Sequence, residues 1–593
     1  MSWRALLANP RTRVFAVVLG SALALTSVGS RLALDDYVLG LAARATPEVA
    51  GFAQENFDLF TFTTGHPKDN LELIEQGFLL PWWTDPALKI AFFRPLTSLT
   101  HRLDFALWPD SPRVMYAHSL GWFALLLALV AVLYKRLEID PKLATLALVL
   151  YALDDAHGAA LSWLSNRNAL LATIFGVLAL ILHDRARKSR NWPLAAAAAA
   201  CIGLGLLAGE FTLGALAYLL AYALFLEQGT LARRLSSLWP YGAVLVCWRI
   251  GYQSFDYGAR GSGAYVDPSA DPLTFLSVLP AKLAVLYNGA LAAPAAETAF
   301  FGPVWHRPFI VAWAACVCVV AGVLFWPALR RDPRARFWLC GALLAAVPVS
   351  ASFPSDRLLF FVGLGLMALL ARVFCSELEE RGGGGLSALR RAAVIGFAGL
   401  HLLAAPLLLP LRAGQMQLIG SLLQQANASI PRSSGVERRS VVLLGPPADI
   451  FASYVQPARA WEGESRPAHL YWLASASSAI DVQRSAPNQL RVRPAEGFLF
   501  APLEQHYRGA VRSLPAGTEI VLSRMTARVM TSTSDGRPHE VEFTFREPLE
   551  SSSYLFMRWE AGRYVPFTLP VEGRTTLPAQ DFGQVLLEHA LSK

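Results

Sequence analysis

The sequence predicts an all-α polytopic membrane domain followed by a β-rich soluble domain. Of its 593 residues, 54% are hydrophobic and only 16% are charged, whereas an average soluble protein has about 25% charged residues. Long uncharged stretches recur up to residue 412, and after residue 413 short segments alternate polar and apolar residues as strands do. A wholly water-soluble enzyme is therefore excluded.

The membrane domain is predicted to cover residues 1–412. About eleven apolar stretches could cross roughly 30 Å of hydrocarbon. They are 14–30, 115–134, 143–163, 168–182, 192–208, 211–226, 240–252, 308–329, 337–352, 357–374 and 391–412. Between them lie a first long polar loop at 31–114 and a second at 253–307. For residues 1–30 the alternative is a cleaved signal peptide, since a basic start, an apolar core and small residues near Ser30 also fit one.

Basic residues predict the orientation, because cytoplasmic loops collect Lys and Arg. Such residues fall at every second connection: Arg4, Arg11 and Arg13; Lys135, Arg136 and Lys142; Arg185, Arg187, Lys188 and Arg190; Arg233 and Arg234; Arg330, Arg331, Arg334 and Arg336; Arg381, Arg390 and Arg391. The N-terminus is then cytoplasmic, and both long loops and the C-terminal region lie on the other side. The predicted location is a bacterial inner membrane with a periplasmic C-terminal domain. The glycines at 382–385 predict a flexible cytoplasmic linker.

The C-terminal region is predicted as a connector at 413–437 and a β-rich extracytoplasmic domain at 438–593. Residues 441–444 have the composition of a buried strand that ends in a turn. Residues 541–545, 554–559 and 564–569 alternate or are rich in aromatic and β-branched residues, with turns at 535–536 and 561–562.

Charge and cysteine content exclude two further classes. The formal net charge is +8, but no basic run is interleaved with aromatic residues, so nucleic acid is not an expected partner. The cysteines at 201, 247, 316, 318, 340 and 375 all lie in or beside apolar stretches. They are expected to be small buried residues rather than a disulfide framework or a metal site.

Polar residues accumulate at the span ends on the predicted non-cytoplasmic side. They are Asp35 and Asp36; Asp154, Asp155 and His157; Asn166, Arg167 and Asn168; Glu210; and Asp356 and Arg357. Charged groups near hydrocarbon are costly unless they are paired or useful, so the set predicts one shared site between helix ends. For any single residue, the alternative is a solvated helix terminus.

The first long loop has two notable segments. Residues 81–83, Pro-Trp-Trp, predict an interfacial anchor. Residues 92–104 place Arg94, His101 and Arg102 among apolar residues, which predicts an amphipathic helix lying on the membrane surface.

Several of these segments resemble the GT-C superfamily of membrane glycosyltransferases, which use polyprenyl-phosphate-linked sugars. The segments are Leu34-Asp35-Asp36-Tyr37 after the first span; Phe93-Arg94-Pro95-Leu96-Thr97 with Leu103-Asp104-Phe105-Ala106-Leu107-Trp108; His157 through Leu170, with Asn166-Arg167-Asn168-Ala169-Leu170-Leu171 at the matching place; Ala208-Gly209-Glu210; and Asp356-Arg357-Leu358-Leu359-Phe360. In this order they are similar to motifs of the protein O-mannosyltransferases that carry tetratricopeptide repeats. The resemblance covers roughly residues 14–375. Gly209 replaces a lysine of that family, and the C-terminal region is not a tetratricopeptide array.

The resemblance implies transfer of a sugar from a polyprenyl phosphate to an extracytoplasmic acceptor. Such a transfer needs a base for the acceptor's proton and cations for the departing phosphate. We expect Asp35 to be the base, with Asp36 as second choice, and Arg94, Arg167 and Arg357 to bind the phosphate. Further site candidates are His101, Asp154, Asp155, His157, Glu210 and Asp356. No metal is expected to be required, although Asp35, Asp155 and Glu210 are the candidate ligands for Mg²⁺ or Mn²⁺, which some relatives use.

Three alternatives compete with this interpretation: a polytopic transporter, a sugar-polymer ligase or polymerase on the same scaffold, and a non-catalytic envelope assembly protein. A transporter often shows inverted repeats and interrupted spans, and the sequence has no evident repeat. The acceptor could be a protein hydroxyl, a glycolipid or a polysaccharide. We expect the C-terminal domain to help bind or select it.

Overall fold

The computed structural model describes residues 3–44, 57–379, 388–432, 435–509, 513–570 and 573–592. A helical part extends to residue 413, and strands dominate after residue 440. The predicted division into a helical membrane domain and a β-rich C-terminal domain is therefore confirmed. The predicted glycine linker at 382–385 lies outside the described residues.

The chain begins with a membrane-type helix and the first long loop. The elements are α1 (Trp3–Ala8), α2 (Pro10–Leu23), α3 (Asp35–Ala43), β1 (Thr61–Thr64), α4 (Pro67–Gln76), β2 (Lys89–Ala91) and α5 (Pro95–Leu107). A Cβ built on Gly20 of α2 would lie 2.4 Å from the carbonyl oxygen of Ala152. Close packing of this helix on the bundle therefore requires glycine there.

The next elements form the centre of the helical bundle. They are α6 (Pro112–Leu137), α7 (Pro141–Ala152), α8 (Ala156–Leu161), α9 (Arg167–Ser189), α10 (Trp192–Ala208), α11 (Leu213–Phe225), α12 (Leu231–Ser236) and α13 (Trp239–Ser254). The remaining helical part contains β3 (Gly258–Arg260), α14 (Pro272–Leu291), α15 (Thr298–Phe301), α16 (Arg307–Arg331), α17 (Pro333–Val349), α18 (Phe360–Glu379), α19 (Ala388–Gly399) and α20 (Ala405–Ala413). Strand β2 pairs with β1 and β3, which ties the two long loops together.

A repeated signal starts several of these helices. Helices α2, α7, α14 and α17 each begin with proline after an Asn or Asp whose side chain accepts a backbone N–H of the first turn. The capping side chain satisfies an otherwise unpaired donor, and proline at the first position lacks a donor that would need a partner. The dipeptides Asn-Pro and Asp-Pro therefore mark the starts of these four helices in the sequence.

The basic residues collect at one end of the bundle, as the charge pattern predicts. There Arg136 Nε donates to Asp184 Oδ2 at 3.0 Å, and Arg372 Nη2 donates to Glu138 Oε1 at 2.8 Å. These contacts join α6 to α9 and α18. The opposite ends of the helices face the first long loop and the C-terminal domain, and we call them the domain-side ends.

Seven helices in the described ranges are long and apolar enough to cross a membrane, against about eleven predicted spans. They are Pro10–Gly29, Pro112–Leu137, Leu164–Ser189, Pro272–Leu291, Val304–Arg331, Phe360–Glu379 and Ala388–Ser429. Shorter apolar helices lie in the predicted spans at 143–163, 192–208 and 211–226. The helix α14 lies inside the segment predicted as the second long loop, where Pro280, Lys282 and Asn288 interrupt the apolar pattern.

The C-terminal domain contains two sheets. Its elements are α21 (Gln415–Ser429), β4 (Ser440–Leu444), α22 (Ile450–Ser453), α23 (Val455–Glu462), β5 (His469–Trp472), β6 (Ile480–Ala486), β7 (Gln489–Pro494), α24 (Pro502–Gln505), β8 (Glu519–Val521), β9 (Met525–Ser532), β10 (Pro538–Phe545), β11 (Tyr554–Glu560), β12 (Arg563–Pro566), β13 (Arg574–Leu577) and α25 (Phe582–Leu591). An antiparallel sheet has the order β13-β6-β7-β10-β9-β8, and a mixed sheet has the order β12-β11-β4-β5 with β11, β4 and β5 parallel. The predicted connector at 413–437 is largely the helix α21.

The first long loop and the C-terminal domain share one hydrophobic core. Trp82 and Trp83 are buried, and their indole N–H groups donate to the carbonyls of Leu473 and Glu504 at 3.1 and 3.2 Å. The ring of Trp82 also makes an edge contact with Phe543 at 5.3 Å between centroids. The prediction of a membrane-interface anchor at 81–83 is wrong, because these rings pack against a domain that is distant in the sequence.

The amphipathic helix expected at 92–104 is α5. Its leucines at 99, 103 and 107 lie on one face and are 41%, 49% and 61% exposed. Its polar residues Thr97, His101 and Asp104 are buried against the bundle. This inverted arrangement, with apolar residues outside, suits a helix whose outer face touches lipid.

Candidate active site

Two cavities meet where the helical part contacts the C-terminal domain. Cavity A has a volume of about 630 Å³ and lies between the first long loop, residues 297–306 and the C-terminal domain. Cavity B has a volume of about 460 Å³ and lies between the first long loop and the domain-side ends of α11, α13 and α17. Both cavities are lined by Asp35, Phe62, Trp163, Tyr265 and Arg357.

Asp35 is the first residue of α3 and stands at the junction of the cavities. The preceding Leu34 has φ 53°, a left-handed conformation that turns the chain sharply before the helix begins. Asp35 Oδ1 accepts a hydrogen bond from the hydroxyl of Tyr454, which lies between α22 and α23. Burial raises the pKa of Asp35, while the Tyr454 hydrogen bond and the charges of Arg357 and Arg94 oppose this rise. This carboxylate is suited to accept a proton.

Asp36 has a different environment from its neighbour. It is buried, and its Oδ1 accepts from the backbone N and the Oγ of Ser165 at 2.8 and 2.5 Å. Its Oδ2 accepts from the backbone N of Ala33 at 3.1 Å and from the hydroxyl of Tyr116 at 3.3 Å. With both oxygens occupied, Asp36 holds the Asp35 turn against the segment that precedes α9, and it does not line either cavity.

Arg94 and Glu210 form an ion pair in the wall of cavity B. Arg94 Nε donates to Glu210 Oε2 at 2.8 Å, and its guanidinium lies 4.4 Å from the ring centroid of Phe92. In the amide orientation that satisfies both groups, Asn168 accepts from Arg94 Nη1 at 3.3 Å. Arg94 and Glu210, both predicted from the sequence, therefore line cavity B, and Glu210 is paired with Arg94.

Arg357 lines both cavities and has no carboxylate within ion-pair distance among the residues that the structure describes. Its Nη1 donates weakly to Asn166 Oδ1 at 3.4 Å, and its Nε has no partner in the same part of the chain. The guanidinium lies 5.3 Å from the ring centroid of Trp163 and 4.9 Å from that of Phe353. An uncompensated guanidinium with a vacant donor beside a cavity is suited to bind an anion.

A third arginine of cavity B, Arg249, was not identified from the sequence. It lies near the domain-side end of α13, and its Nη2 donates to Ser269 Oγ at 2.5 Å. Cavity B is therefore lined by Arg94, Arg249 and Arg357, whereas Arg357 is the arginine in the wall of cavity A. The arginines are concentrated on the side of cavity B, whose wall also includes the acidic residues Asp35, Glu210 and Asp267.

Arg167 is not placed in either cavity, contrary to the expectation that it binds phosphate. Its Nη2 forms a buried ion pair with Asp104, and its Nε donates to Ser119 Oγ at 2.9 Å. Nη2 also donates to the carbonyl of Met115 at 2.9 Å. All of these partners belong to α5 and α6, so Arg167 fastens α9 to those helices.

His101, His157 and Asp154 also lie outside both cavities. His101 is buried in α5 beside Phe60, with a centroid distance of 6.0 Å. His157 stacks on Phe360 at 4.9 Å, and Asp154 Oδ1 accepts the backbone N–H of Ala156 at 3.1 Å. These three residues have packing and capping roles.

Asp155 and Asp356 meet around Arg412, the second arginine that the sequence analysis missed. Arg412 Nη1 lies 3.1 Å from Asp155 Oδ2 and 2.5 Å from Asp356 Oδ2, while its Nη2 lies 2.6 Å from Glu297 Oε1. Asp356 also accepts the backbone N–H of Ala296 at 2.8 Å. This cluster joins α8, the end of α20 and the segments before α15 and α18, directly behind Arg357.

The candidate metal ligands Asp35, Asp155 and Glu210 are not brought together. Asp35 bonds to Tyr454, Asp155 to Arg412 and Glu210 to Arg94. No group of three or more metal-ligating side chains is present in the described part of the chain. These residues do not fit a divalent cation.

Sequence reasoning missed Tyr454, Arg249 and Arg412 for two reasons. Tyr454 lies 419 positions from Asp35, in a domain whose docking no local pattern reveals. Arg249 and Arg412 did carry a signal. Each lies at the predicted non-cytoplasmic end of a span, where basic residues are unusual, and such a residue is a site candidate on that ground alone.

Comparisons with known proteins include a similarity to a solved structure. No family model and no curated protein matches the sequence. The structure is similar to that of the Archaeoglobus fulgidus oligosaccharyltransferase, which was solved with a tethered acceptor peptide. The TM-score is 0.38 and the identity 11%, over 79% of this chain and 64% of that one. The chain thus spans less than two thirds of that protein's length, and its function is argued from its own site.

Proposed function

We propose that this protein is a GT-C membrane glycosyltransferase that moves a sugar from a polyprenyl-phosphate donor to an acceptor hydroxyl outside the cytoplasm. One observation carries the proposal: the Asp35 carboxyl lies where two cavities meet, beside Arg357, whose guanidinium has no carboxylate partner among the described residues. A base and an anion-binding cation at one junction are what this transfer requires.

In the proposed reaction, the acceptor oxygen attacks the anomeric carbon while its proton passes to Asp35. The bond between the anomeric carbon and the phosphate oxygen breaks, and polyprenyl phosphate leaves with the electron pair. Arg94, Arg249 and Arg357 in cavity B stabilise its negative charge. A phosphate monoester is a sufficient leaving group, so a second carboxylic acid is not needed.

The alternatives receive less support from the geometry. A transporter needs a path between both ends of the bundle, and neither cavity is lined by a residue from the basic ends of the helices. A catalytically silent assembly protein would not need an ionisable group at the meeting point of two cavities. We place the enzyme in a bacterial inner membrane with its site on the periplasmic side, following the alternation of basic loops.

The direct test is Asp35→Asn in the full-length protein. Membranes that contain the natural acceptor are supplied with a sugar-labelled polyprenyl phosphate, and incorporation of label into envelope material is measured. Because a general base typically contributes about 10²–10⁴-fold, we expect a loss of at least about a hundredfold. Asp110→Asn is the matched control, since that first-loop carboxyl is 94% exposed. Near-normal transfer by the Asp35 variant would contradict the mechanism.

A further inference from the structure

Cavity A extends to the domain-side ends of two apolar helices, α16 and α20. Its wall includes Pro303 and His306, just before α16, and Met416 and Ile419 in α21, the helix that follows α20. Large apolar residues near the start of α16 point away from the protein, with Phe309 71% exposed. A molecule in the outer part of the bilayer can therefore approach cavity A between α16 and α20.

Cavity B is bounded by a different helix that has an exposed apolar face. Its wall includes Leu245, Trp248 and Tyr252 of α13, whose outward-facing Val246 and Ile250 are 57% and 59% exposed. The two cavities share Asp35 and Arg357 but are bounded by different membrane helices. Each cavity therefore borders its own exposed apolar helix face.

The walls of cavity A are mostly apolar and aromatic. Residues that contribute such surface are Phe300, Phe301, Phe353, Ile450, Phe582 and Leu586. A peptide bound in extended form is recognised largely by main-chain hydrogen bonds, and a polysaccharide requires many polar partners. Cavity A combines this apolar surface with polar side chains, among them Asp35, Ser355, Tyr454 and His506, so it fits an apolar body with a hydroxyl-bearing head.

The charges distinguish the occupants of the two cavities. Cavity B is lined by three arginines and by the acidic residues Asp35, Glu210 and Asp267, with Glu210 paired to Arg94. Among the described residues, Arg357 is the one arginine in the wall of cavity A, so cavity B is better suited to the phosphate-bearing donor. The acidic residues of cavity A are Asp35, Asp581 and Glu297, and Glu297 is neutralised by Arg412. Burial lowers the pKa of His506 in the same wall to about 4, which leaves its imidazole uncharged near neutrality. A head group with hydroxyls and without phosphate suits this surface.

Resting on the proposed function, we infer that the acceptor is itself a membrane lipid, a hydroxyl-bearing glycolipid that occupies cavity A. Donor and acceptor then enter from the bilayer on different sides and meet at Asp35. The transfer forms a bond between the donor's anomeric carbon and a hydroxyl oxygen of the glycolipid, and it releases polyprenyl phosphate. The acceptor proton is taken up by Asp35.

The test is photocrosslinking in native membranes, using the full-length chain with benzoylphenylalanine at one position at a time. Ile419 samples cavity A, Leu245 samples cavity B, and Leu407 of α20, which is 72% exposed, samples the bulk lipid. Adducts are identified by mass spectrometry. We expect a glycolipid adduct at position 419 that is strongly enriched over the profile at 407, and a polyprenyl adduct at 245. Leu586 is a second cavity A position if the 419 variant does not accumulate.

The outcomes separate the inference from the proposed function. A polyprenyl adduct at 245 together with a peptide, a soluble glycan or the bulk lipid profile at 419 would overturn the lipid acceptor and leave the glycosyltransferase standing. Absence of a polyprenyl adduct at 245 would count against the proposed donor site itself. Added dodecyl glycoside, which carries hydroxyls on an alkyl chain, should reduce the adduct at 419 and leave the adduct at 245 unchanged.

Discussion

Asp35 and Asp36 are adjacent in the chain, but their carboxyls have opposite environments. The oxygens of Asp36 accept four hydrogen bonds from Ser165, Ala33 and Tyr116, and this carboxyl has no access to either cavity. Asp35 has Tyr454 as its hydrogen-bond donor and faces both cavities. The two carboxyls point in different directions because successive side chains at the start of a helix diverge by about 100°.

Tyr454→Phe should move the acidic limb of the pH–activity profile to higher pH. The base must be ionised, and the ionised fraction falls as the pH drops through the pKa of Asp35. Burial already raises that pKa, and the Tyr454 hydrogen bond opposes the rise. Because this hydrogen bond stabilises the charged carboxylate, its removal raises the pKa of Asp35 further, and we expect the acidic limb to move to higher pH.

The measurement is transfer rate against pH for both proteins. The loss of transfer rate in the Tyr454→Phe protein should be greatest at acidic pH. It should become smaller at alkaline pH, where Asp35 is ionised in both proteins. Tyr554→Phe, which removes a hydroxyl elsewhere in the C-terminal domain, should leave the limb unchanged. A uniform loss at every pH would show that Tyr454 acts on folding or substrate binding rather than on the Asp35 carboxyl.

At the scale of single residues, the sequence placed the candidate polar residues at the ends of apolar segments, but it did not show which of their side chains line the cavities. Asp35, Arg94, Glu210 and Arg357 line the cavities, whereas Arg167 does not. Hydropathy locates the ends of the apolar segments, and these ends indicate how deep in the membrane each residue is expected to lie. Orientation around the helix axis depends on neighbours such as Asp104, which draws Arg167 away from the cavities, and those neighbours become visible only in the fold.

At the scale of elements, α5 and α9 are joined by a buried ion pair. Asp104 bonds to Arg167 and also to His118 Nδ1 at 2.8 Å, so the pair fixes α5 against α6 and α9. Helix α5 also places Arg94, the residue directly before its first residue, in the wall of cavity B. The pair therefore positions this wall of cavity B from a distance.

Asp104→Asn should destabilise the protein without removing a group that touches the donor. It leaves the Arg167 charge buried and unpaired, which typically costs about 3–5 kcal/mol. The double change Asp104→Leu with Arg167→Met removes both charges and should recover much of the thermal stability and the transfer activity. Unfolding temperature and transfer rate are measured on all three proteins. A double variant that is stable but inactive would instead assign Arg167 a direct role at the phosphate.

At the scale of the whole molecule, the C-terminal domain completes the site. The sequence predicted the domain and several of its strands, because alternation and turn residues are local signals. Its docking was not predicted, since contacts such as Trp82 with Phe543 join residues far apart in the chain. The anchor prediction for Trp82 and Trp83 failed for the same reason, because an exposed interfacial tryptophan and a buried one have the same local sequence.

Trp82→Ala should therefore alter catalysis through Asp35, although Trp82 lies outside both cavities. Truncation of a buried tryptophan typically costs about 3–5 kcal/mol, and here the loss falls on the contact between the first loop and the C-terminal domain. As that contact loosens, Tyr454 is withdrawn from Asp35 for part of the time. We expect lower activity, an acidic limb shifted in the same direction as for Tyr454→Phe, and faster proteolysis between the helical part and the domain.

The matched control is Trp192→Ala, because Trp192 is 78% exposed at the basic end of the bundle. That variant should retain the activity, the acidic limb and the protease resistance of the parent protein. In the double variant of Trp82→Ala and Tyr454→Phe, the limb should move little beyond its position in Tyr454→Phe, since both changes remove the same hydrogen bond. Fully additive shifts, or a Trp82 variant that is cleaved rapidly yet keeps the parent pH profile, would show that the docked domain does not set the proton affinity of Asp35.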